Sequence, residues 1–255
     1  MKPSRLFVAT LAAVSFLLAS VDAFAGSTNV AVAANFMDAV KEIAAAFKAQ
    51  TGHDAVLSFG SSGQFYTQIK EGAPFQILLS ADDERPKKLI EDGLAVPESR
   101  FTYAIGKLVL WSSDPKLVKG EETLRGKAFN KLSIANPTAA PYGAAAVETL
   151  KALQLYEAVQ PKIVMGNSIA QAFQFVETGN AELGFVALSQ LAGNVGGSRW
   201  MVPQNLYSEI RQDAVLLKSG ADNEAAKAFM TFLKGPQARA VIEKFGYALD
   251  SKSGT

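Results

Sequence analysis

The sequence lacks cysteine and has a single histidine, His53, among its 255 residues. Without thiols it can form neither disulfide bonds nor thiolate metal sites, and one imidazole cannot build a histidine metal centre. An excess of charge of one sign is also missing, because 25 basic residues stand against 24 acidic ones. This balance argues against nucleic acid or an acidic membrane surface as a partner. An anionic ligand would have to be held by local donors.

A long apolar run occurs only near the N-terminus. Lys2 and Arg5 precede the run Leu6–Ala19, and the small residues Ala23 and Ala25 follow it. The run is shorter than the roughly 20 residues of a spanning helix. We therefore expect a secretory signal peptide over residues 1–25, cleavage after Ala25 and export to a bacterial periplasm. The first 25 residues hold two basic residues and one acidic, so the remaining 230 have 23 of each.

Those 230 residues alternate short β-rich runs with amphipathic helical patterns, which is typical of βαβ units. Their number favours two cores over one. The sequence predicts an α/β protein with two lobes, each a mixed, mostly parallel sheet flanked by helices, and a ligand cleft between them. We place residues 26–105 and 207–255 in the first lobe and residues 106–206 in the second. The long strands predicted at Tyr103–Trp111 and Ile210–Leu217 would be the crossings between lobes.

One local pattern occurs four times: a strand ends, a small polar turn follows and a helix begins. The turns are Ala33-Ala34-Asn35-Phe36, Phe59-Gly60-Ser61-Ser62-Gly63, Thr138 to Gly143, and Gly166-Asn167-Ser168-Ile169. Two fall in each predicted lobe. Ligands of open parallel sheets bind beyond the carboxyl ends of the strands, where such turns collect. Helix N-termini also leave N–H groups unpaired, so they can bind anions without a formal cation.

The residue types in these turns fit that use. Asn35 and Ser168 are favourable N-caps that can also turn a donor toward a ligand, and Ser61 and Ser62 add hydroxyl groups. Gly143 would let the chain approach closely at a helix start. None of the four turns contains Lys, Arg, His, Asp or Glu. A site of neutral donors suits a small, fully ionised oxyanion.

Several segments together resemble the periplasmic molybdate-binding proteins of ABC importers. They are Val30 to Phe36, Ser58 to Gly63, Ile77 to Asp82, Pro137 to Gly143, Gly179 to Val186 and Phe232 to Gln237. The resemblance covers nearly the whole chain after residue 25. It implies a type II-like periplasmic binding protein fold that closes on molybdate or tungstate, is not an enzyme, needs no cofactor and docks to a membrane permease. A monomer is expected.

The resemblance also implies which residues hold the oxyanion. They are Asn35, Ser62, Tyr142 and Ile169, with Ala34, Ser61, Pro141 and Ser168 as neighbours and with no direct bond from protein to metal. Two positions depart from the pattern. Many members carry Ser at the position of Asn35, and some use a Tyr hydroxyl at the position of Ala187, whose side chain cannot donate.

Other functions stay open at this stage. The solute could be another tetrahedral oxyanion such as sulfate, although monoprotonated phosphate would want a carboxylate acceptor that the turns lack. An exported α/β enzyme acting on an anionic substrate would need a general base. The sole histidine follows Gly52 in a turn at the opposite end of its strand, where exposure to solvent is expected. A purely adhesive module would bind no oxyanion at all.

Overall fold

The computed structural model describes residues 25–193 and 196–250. The predicted signal peptide, apart from Ala25, lies outside the described residues. No helix within the described ranges is long and apolar enough to cross a membrane.

The described chain alternates strands and helices in the predicted manner. The strands are β1 (Ser27–Ala33), β2 (Asp54–Gly60), β3 (Ile77–Leu79), β4 (Phe101–Gly106), β5 (Leu108–Ser112), β6 (Leu132–Ala135), β7 (Ile163–Gly166), β8 (Leu183–Ala187), β9 (Ser198–Met201) and β10 (Ile210–Leu216). The α-helices are α1 (Met37–Thr51), α2 (Ser62–Lys70), α3 (Glu84–Glu91), α4 (Glu121–Gly126), α5 (Pro141–Ala152), α6 (Tyr156–Val159), α7 (Ile169–Glu177), α8 (Glu224–Lys234) and α9 (Pro236–Lys244).

The strands form two five-stranded sheets, as the two-lobed prediction requires. The first sheet has the order β2-β1-β3-β10-β4 and the second has the order β7-β6-β8-β5-β9. In the first sheet only β10 runs against the other strands, and in the second only β5 does. Each sheet with its flanking helices is called a lobe below. The residue limits predicted for the lobes remain a proposal.

The predicted crossings need correction. The single strand expected over Tyr103–Trp111 is two strands, β4 and β5, one in each sheet. They are separated by Lys107, which is exposed between buried neighbours. The strand expected at Ile210–Leu217 does not cross, because β10 pairs with β3 and β4 inside the first sheet. The chain returns to the first lobe through the segment between β9 and β10. Two short elements, β9 and α4, were not predicted from the sequence.

Each lobe buries its own apolar core. In the first lobe, Val40, Ile43 and Phe47 form a stripe along α1 and are fully buried. The helix ends at Gly52, whose φ of 75° gives the left-handed cap that glycine adopts without strain. In the second lobe, Leu108, Leu110 and other buried residues of its sheet pack against α5 and α7. These cores fix the strand ends from which the site is built.

Candidate functional site

The carboxyl ends of neighbouring strands lie in register in both lobes. Ala33 at the end of β1 pairs with Gly60 at the end of β2, and Ala135 of β6 pairs with Gly166 of β7. A helix follows each of these four strand ends. The 3-10 helix Ala34–Phe36 follows β1 and α2 follows β2, while α5 follows β6 and α7 follows β7. Four helix N-termini therefore face the cleft between the lobes.

These four helix starts meet around one small cavity. The space in it that the centre of a water molecule can occupy is about 10 Å³. Its lining residues are Ala33, Ala34, Asn35, Gly60, Ser61, Ser62, Ala81, Ala140, Pro141, Tyr142 and Ile169. No side chain in this lining carries a charge. The first N–H groups of a helix have no acceptor within the helix, so a cavity of this kind offers backbone donors to an anion.

The cavity brings together most of the residues named from the sequence. Asn35, Ser62, Tyr142 and Ile169 line it, and so do Ala34, Ser61 and Pro141. Ser168 does not: it is the N-cap of α7, and its Oγ accepts from the N–H of Gln171 at 3.3 Å. Ala187 is also outside the lining, and its N–H donates to Gln190 Oε1 at 2.9 Å.

The two serines at the start of α2 have different tasks. Ser61 is the N-cap, and it forms a capping box with Gln64 in which each side chain accepts from the other residue's N–H. The helix thus begins at Ser62. Ser62 is fully buried, and its Oγ accepts from the N–H of Ala81 at 2.9 Å. Because a hydroxyl both accepts and donates, the proton of Ser62 is left for a ligand.

Asn35 does not cap a helix, contrary to the prediction. The 3-10 helix begins after Ala33 without any side-chain cap. The Asn35 side chain is instead 4% exposed and reaches across the first lobe, donating through Nδ2 to Gln212 Oε1 at 2.8 Å and to the Tyr247 hydroxyl at 3.0 Å. The second lobe also contacts Asn35, because Ser189 Oγ donates to the Asn35 backbone carbonyl at 2.8 Å.

Tyr142 lies in the first turn of α5 and is 1% exposed. Its hydroxyl accepts from Gln212 Nε2 at 3.1 Å, so its ring spans from the second lobe to β10 of the first. Burial, reinforced by the nearby hydroxyls of Tyr247 and Tyr103, raises the pKa of Tyr142 well above 10.0. The hydroxyl therefore stays neutral and adds no negative charge beside an anion.

Further hydrogen bonds join the lobes at the cavity's edge. The N–H of Gly63 donates to Ala139 O at 2.9 Å, and Arg85 Nη2 donates to Thr138 O at 2.8 Å. Arg85 also forms an ion pair with Asp82, whose Oδ1 accepts from the N–H of Arg85 at the start of α3. The molecule is therefore closed, with the cavity walled by both lobes.

A larger, open cleft shares Ala81 and Pro141 with the cavity. Its ionisable lining residues are Asp82, Asp83, Glu84, Arg85, Lys88, Glu148, Glu209 and Arg211. Acidic residues outnumber basic ones there, so this cleft disfavours an anion. The small uncharged cavity is the better oxyanion site.

Sequence reasoning missed several residues of the site. Ala33, Gly60 and Ala140 belong to the predicted turns and line the cavity, although they were not named among the site residues. Ala81 lines it from outside those turns. Gln212, Tyr247 and Ser189 contact Asn35 from 177, 212 and 154 positions away. Only the fold brings them together.

His53 is half-buried, not exposed as expected. Its Nδ1 accepts from the N–H of Gly26 at 2.9 Å, and its ring lies beside Phe47. It is absent from the cavity lining. Within the ranges that the structure describes, no group of three or more His, Cys, Asp or Glu side chains could hold a metal ion.

Comparison with known proteins matches this architecture to one family. Residues 28–248 match the family described as bacterial extracellular solute-binding protein. The chain is 55% identical to a molybdate-binding protein of Rhodobacter capsulatus, over 89% of this chain and 90% of the relative. It is 56% identical to the corresponding protein of Azotobacter vinelandii, over 88% and 91%.

A solved structure agrees with the sequence relatives. The periplasmic molybdate-binding protein of Azotobacter vinelandii superposes with a TM-score of 0.85 at 45% identity, covering 88% of this chain and 100% of that one. The chain therefore belongs to the bacterial extracellular solute-binding proteins and, within them, to the family of the molybdate-binding proteins.

Proposed function

We propose that this protein binds molybdate, and equally tungstate, in the small cavity and delivers the oxyanion from the periplasm to the permease of an ABC importer. The observation that carries the proposal is the convergence of four helix starts, two from each lobe, on a lining without charge. The relatives are named for molybdate binding. The protein acts as a monomer in this proposal and catalyses no reaction, since the sole histidine lies outside the cavity.

The donors we assign are the N–H groups of Asn35, Ser62, Tyr142 and Ile169, together with the Ser62 hydroxyl. Ala34, Ser61 and Pro141 shape the wall between them. Hydrogen bonds to a charged group contribute roughly 1.5–3 kcal/mol each. Five such bonds are enough to exceed the cost of ordering two lobes around a small ion.

Neutral donors also select the protonation state of the ligand. A ligand that must donate a proton, such as hydrogen phosphate, would need a buried acceptor, and the lining contains no carboxylate. Sulfate has the charge and shape of molybdate but is smaller. We therefore assign discrimination against sulfate to cavity size, because contacts to a smaller ion would be stretched on one side.

Titration calorimetry on protein refolded free of ligand tests this function. We expect molybdate and tungstate to bind tightly at one site per chain, and sulfate and phosphate to bind much more weakly. Melting temperature should follow the same order, because a ligand stabilises the folded state by mass action. Sulfate binding as tight as molybdate would overturn the assignment. A protein unaffected by all four ions would fit the adhesive alternative instead.

A further inference from the structure

Arg85 joins the two lobes at the rim of the cavity through a side chain that its own lobe holds in place. It lies in the first turn of α3, and its Nη2 donates to the carbonyl of Thr138, in the second lobe, at 2.8 Å. Its Nη1 forms an ion pair with Asp82, whose carboxylate also accepts from the Ser80 hydroxyl at 2.9 Å. The Arg85 side chain is 18% exposed and that of Asp82 is 15% exposed. Residues of the first lobe therefore orient the guanidinium.

The carbonyl that accepts from Arg85 belongs to a tight loop of the second lobe. Asn136 fixes this loop: its Oδ1 accepts from the N–H of Thr138 at 3.0 Å, and its backbone carbonyl accepts from the N–H of Ala140 at 2.8 Å. The helix α5 begins immediately after the loop, and Tyr142 in its first turn supplies one of the proposed donors. Because the loop has hydrogen bonds of its own, holding Thr138 also holds the N-terminus of α5 against the cavity.

On the side of the first lobe, the same contact is connected to Ser62. The Ser62 hydroxyl accepts from the N–H of Ala81, the residue before Asp82, at 2.9 Å. Ala81 lines both the cavity and the neighbouring open cleft, whereas Arg85 lines the cleft and is absent from the cavity lining. The guanidinium therefore acts on the two lobes and not on the ion itself.

The contact between Arg85 and Thr138 depends on closure of the lobes. The cavity has walls from both lobes, so an ion must enter and leave while they are apart. The contact thus forms after the ion has arrived and must break before the ion departs. Charge-assisted hydrogen bonds are stronger than neutral ones, and partial burial limits the screening of this ion pair by salt. Loss of the contact should therefore speed release more than it slows association.

We propose that Arg85 is a positioning residue for closure: it holds the second lobe over the bound oxyanion and sets the rate at which the ion is released. This inference rests on the proposed function. It deepens that function, because delivery to a permease requires the ion to be retained until the lobes open. The positive charge of Arg85 is used between the lobes, where Asp82 balances it, and not to attract the anion.

Two substitutions at Arg85 separate its two-nitrogen contact from its charge. Arg85→Gln removes the charge, while Arg85→Lys keeps it but has one ammonium in place of the two nitrogen atoms that contact Asp82 and Thr138. Release of radiolabelled molybdate into an excess of unlabelled molybdate gives koff, calorimetry gives Kd, and the ratio of koff to Kd gives kon. We expect both variants to raise koff about tenfold and to change kon by less than about twofold.

Lys88 provides the matched control. It lies on the same helix and lines the same cleft, and its ammonium donates to Glu84 Oε1 on that helix at 2.6 Å. Lys88→Gln should keep the wild-type koff and kon. If Arg85 acted through its charge on the ion, Arg85→Lys would behave like the wild type, whereas Arg85→Gln and Lys88→Gln would both lower kon. That pattern would overturn the proposal, and so would a wild-type koff in both Arg85 variants.

Failure of the proposed function has a different signature in the same experiment. Wild-type protein that does not bind molybdate in calorimetry refutes the function, and this inference with it. Wild-type protein that binds molybdate, while folded Arg85 variants release the ion no faster, refutes the role of Arg85 alone.

Discussion

At the scale of single residues, Ser62 gives the sharpest test of the donor set. Its hydroxyl accepts from Ala81 and keeps its own proton for the ligand. Ser62→Ala should weaken molybdate binding by about 1–3 kcal/mol, through loss of one charge-assisted bond. Calorimetric titration at a fixed temperature measures this difference.

Ser112 provides a matched control for that substitution. It is also fully buried, and its hydroxyl donates to the Glu182 carbonyl in the second lobe, outside the cavity lining. Ser112→Ala should lower the melting temperature of the ligand-free protein and leave molybdate affinity unchanged. Equal losses of affinity in both variants would show that Ser62 acts only through stability.

Residue chemistry also limits what the sequence could predict. Ser61 and Ser62 stand in a turn whose spacing alone indicates a helix start, and the structure places both at the cavity. The same reasoning assigned Asn35 to a cap and was wrong, because the side chain has partners on β10 and beyond α9. Hydrogen bonds between residues about 200 positions apart leave no local pattern to read.

At the scale of elements, the start of α2 is in close contact with the loop before α5. The N–H of Gly63 donates to Ala139 O, and a Cβ on Gly63 would lie 2.9 Å from Ala139 Cα. That distance is shorter than carbon atoms tolerate, and the obstacle is backbone. Gly63→Ala should therefore weaken closure of the lobes, lower molybdate affinity and reduce the compaction seen by small-angle X-ray scattering when ligand is added.

Gly126 is the control position for that experiment. It ends α4 in the second lobe, and a Cβ there would meet nothing within 4 Å. Gly126→Ala should keep both affinity and compaction. If Gly63→Ala binds and compacts like the wild-type protein, the contact between α2 and the Ala139 loop does not govern closure.

The order of strands and helices could be predicted where periodicity was strong, as in α1 with its buried stripe. The prediction failed where two strands share one continuous apolar pattern. β4 and β5 read as a single strand, because Lys107 is the only exposed residue between them. The four-residue β9 was missed because it is short and, at the edge of its sheet, has no fully buried position. The division between β4 and β5 and the formation of β9 both depend on pairing with neighbouring strands. The sequence does not reveal those neighbours.

At the scale of the whole molecule, binding should be nearly independent of pH. The titratable side chain in the lining is Tyr142, whose pKa burial raises well above 10.0. Deprotonation would add a negative charge and weaken anion binding, but only above that raised pKa. Molybdate affinity should thus stay constant between about pH 7 and pH 9. A fall across this range would reveal a lysine or histidine that contributes positive charge.

The central claim is that uncharged donors at four helix starts hold a dianion between two lobes. A crystal structure of the molybdate complex tests it most directly. We expect the ion in the small cavity, with its oxygen atoms about 2.7–3.2 Å from the N–H groups of Asn35, Ser62, Tyr142 and Ile169. Molybdate bound instead to Arg85, Lys88 or Arg211 in the neighbouring open cleft would contradict the claim.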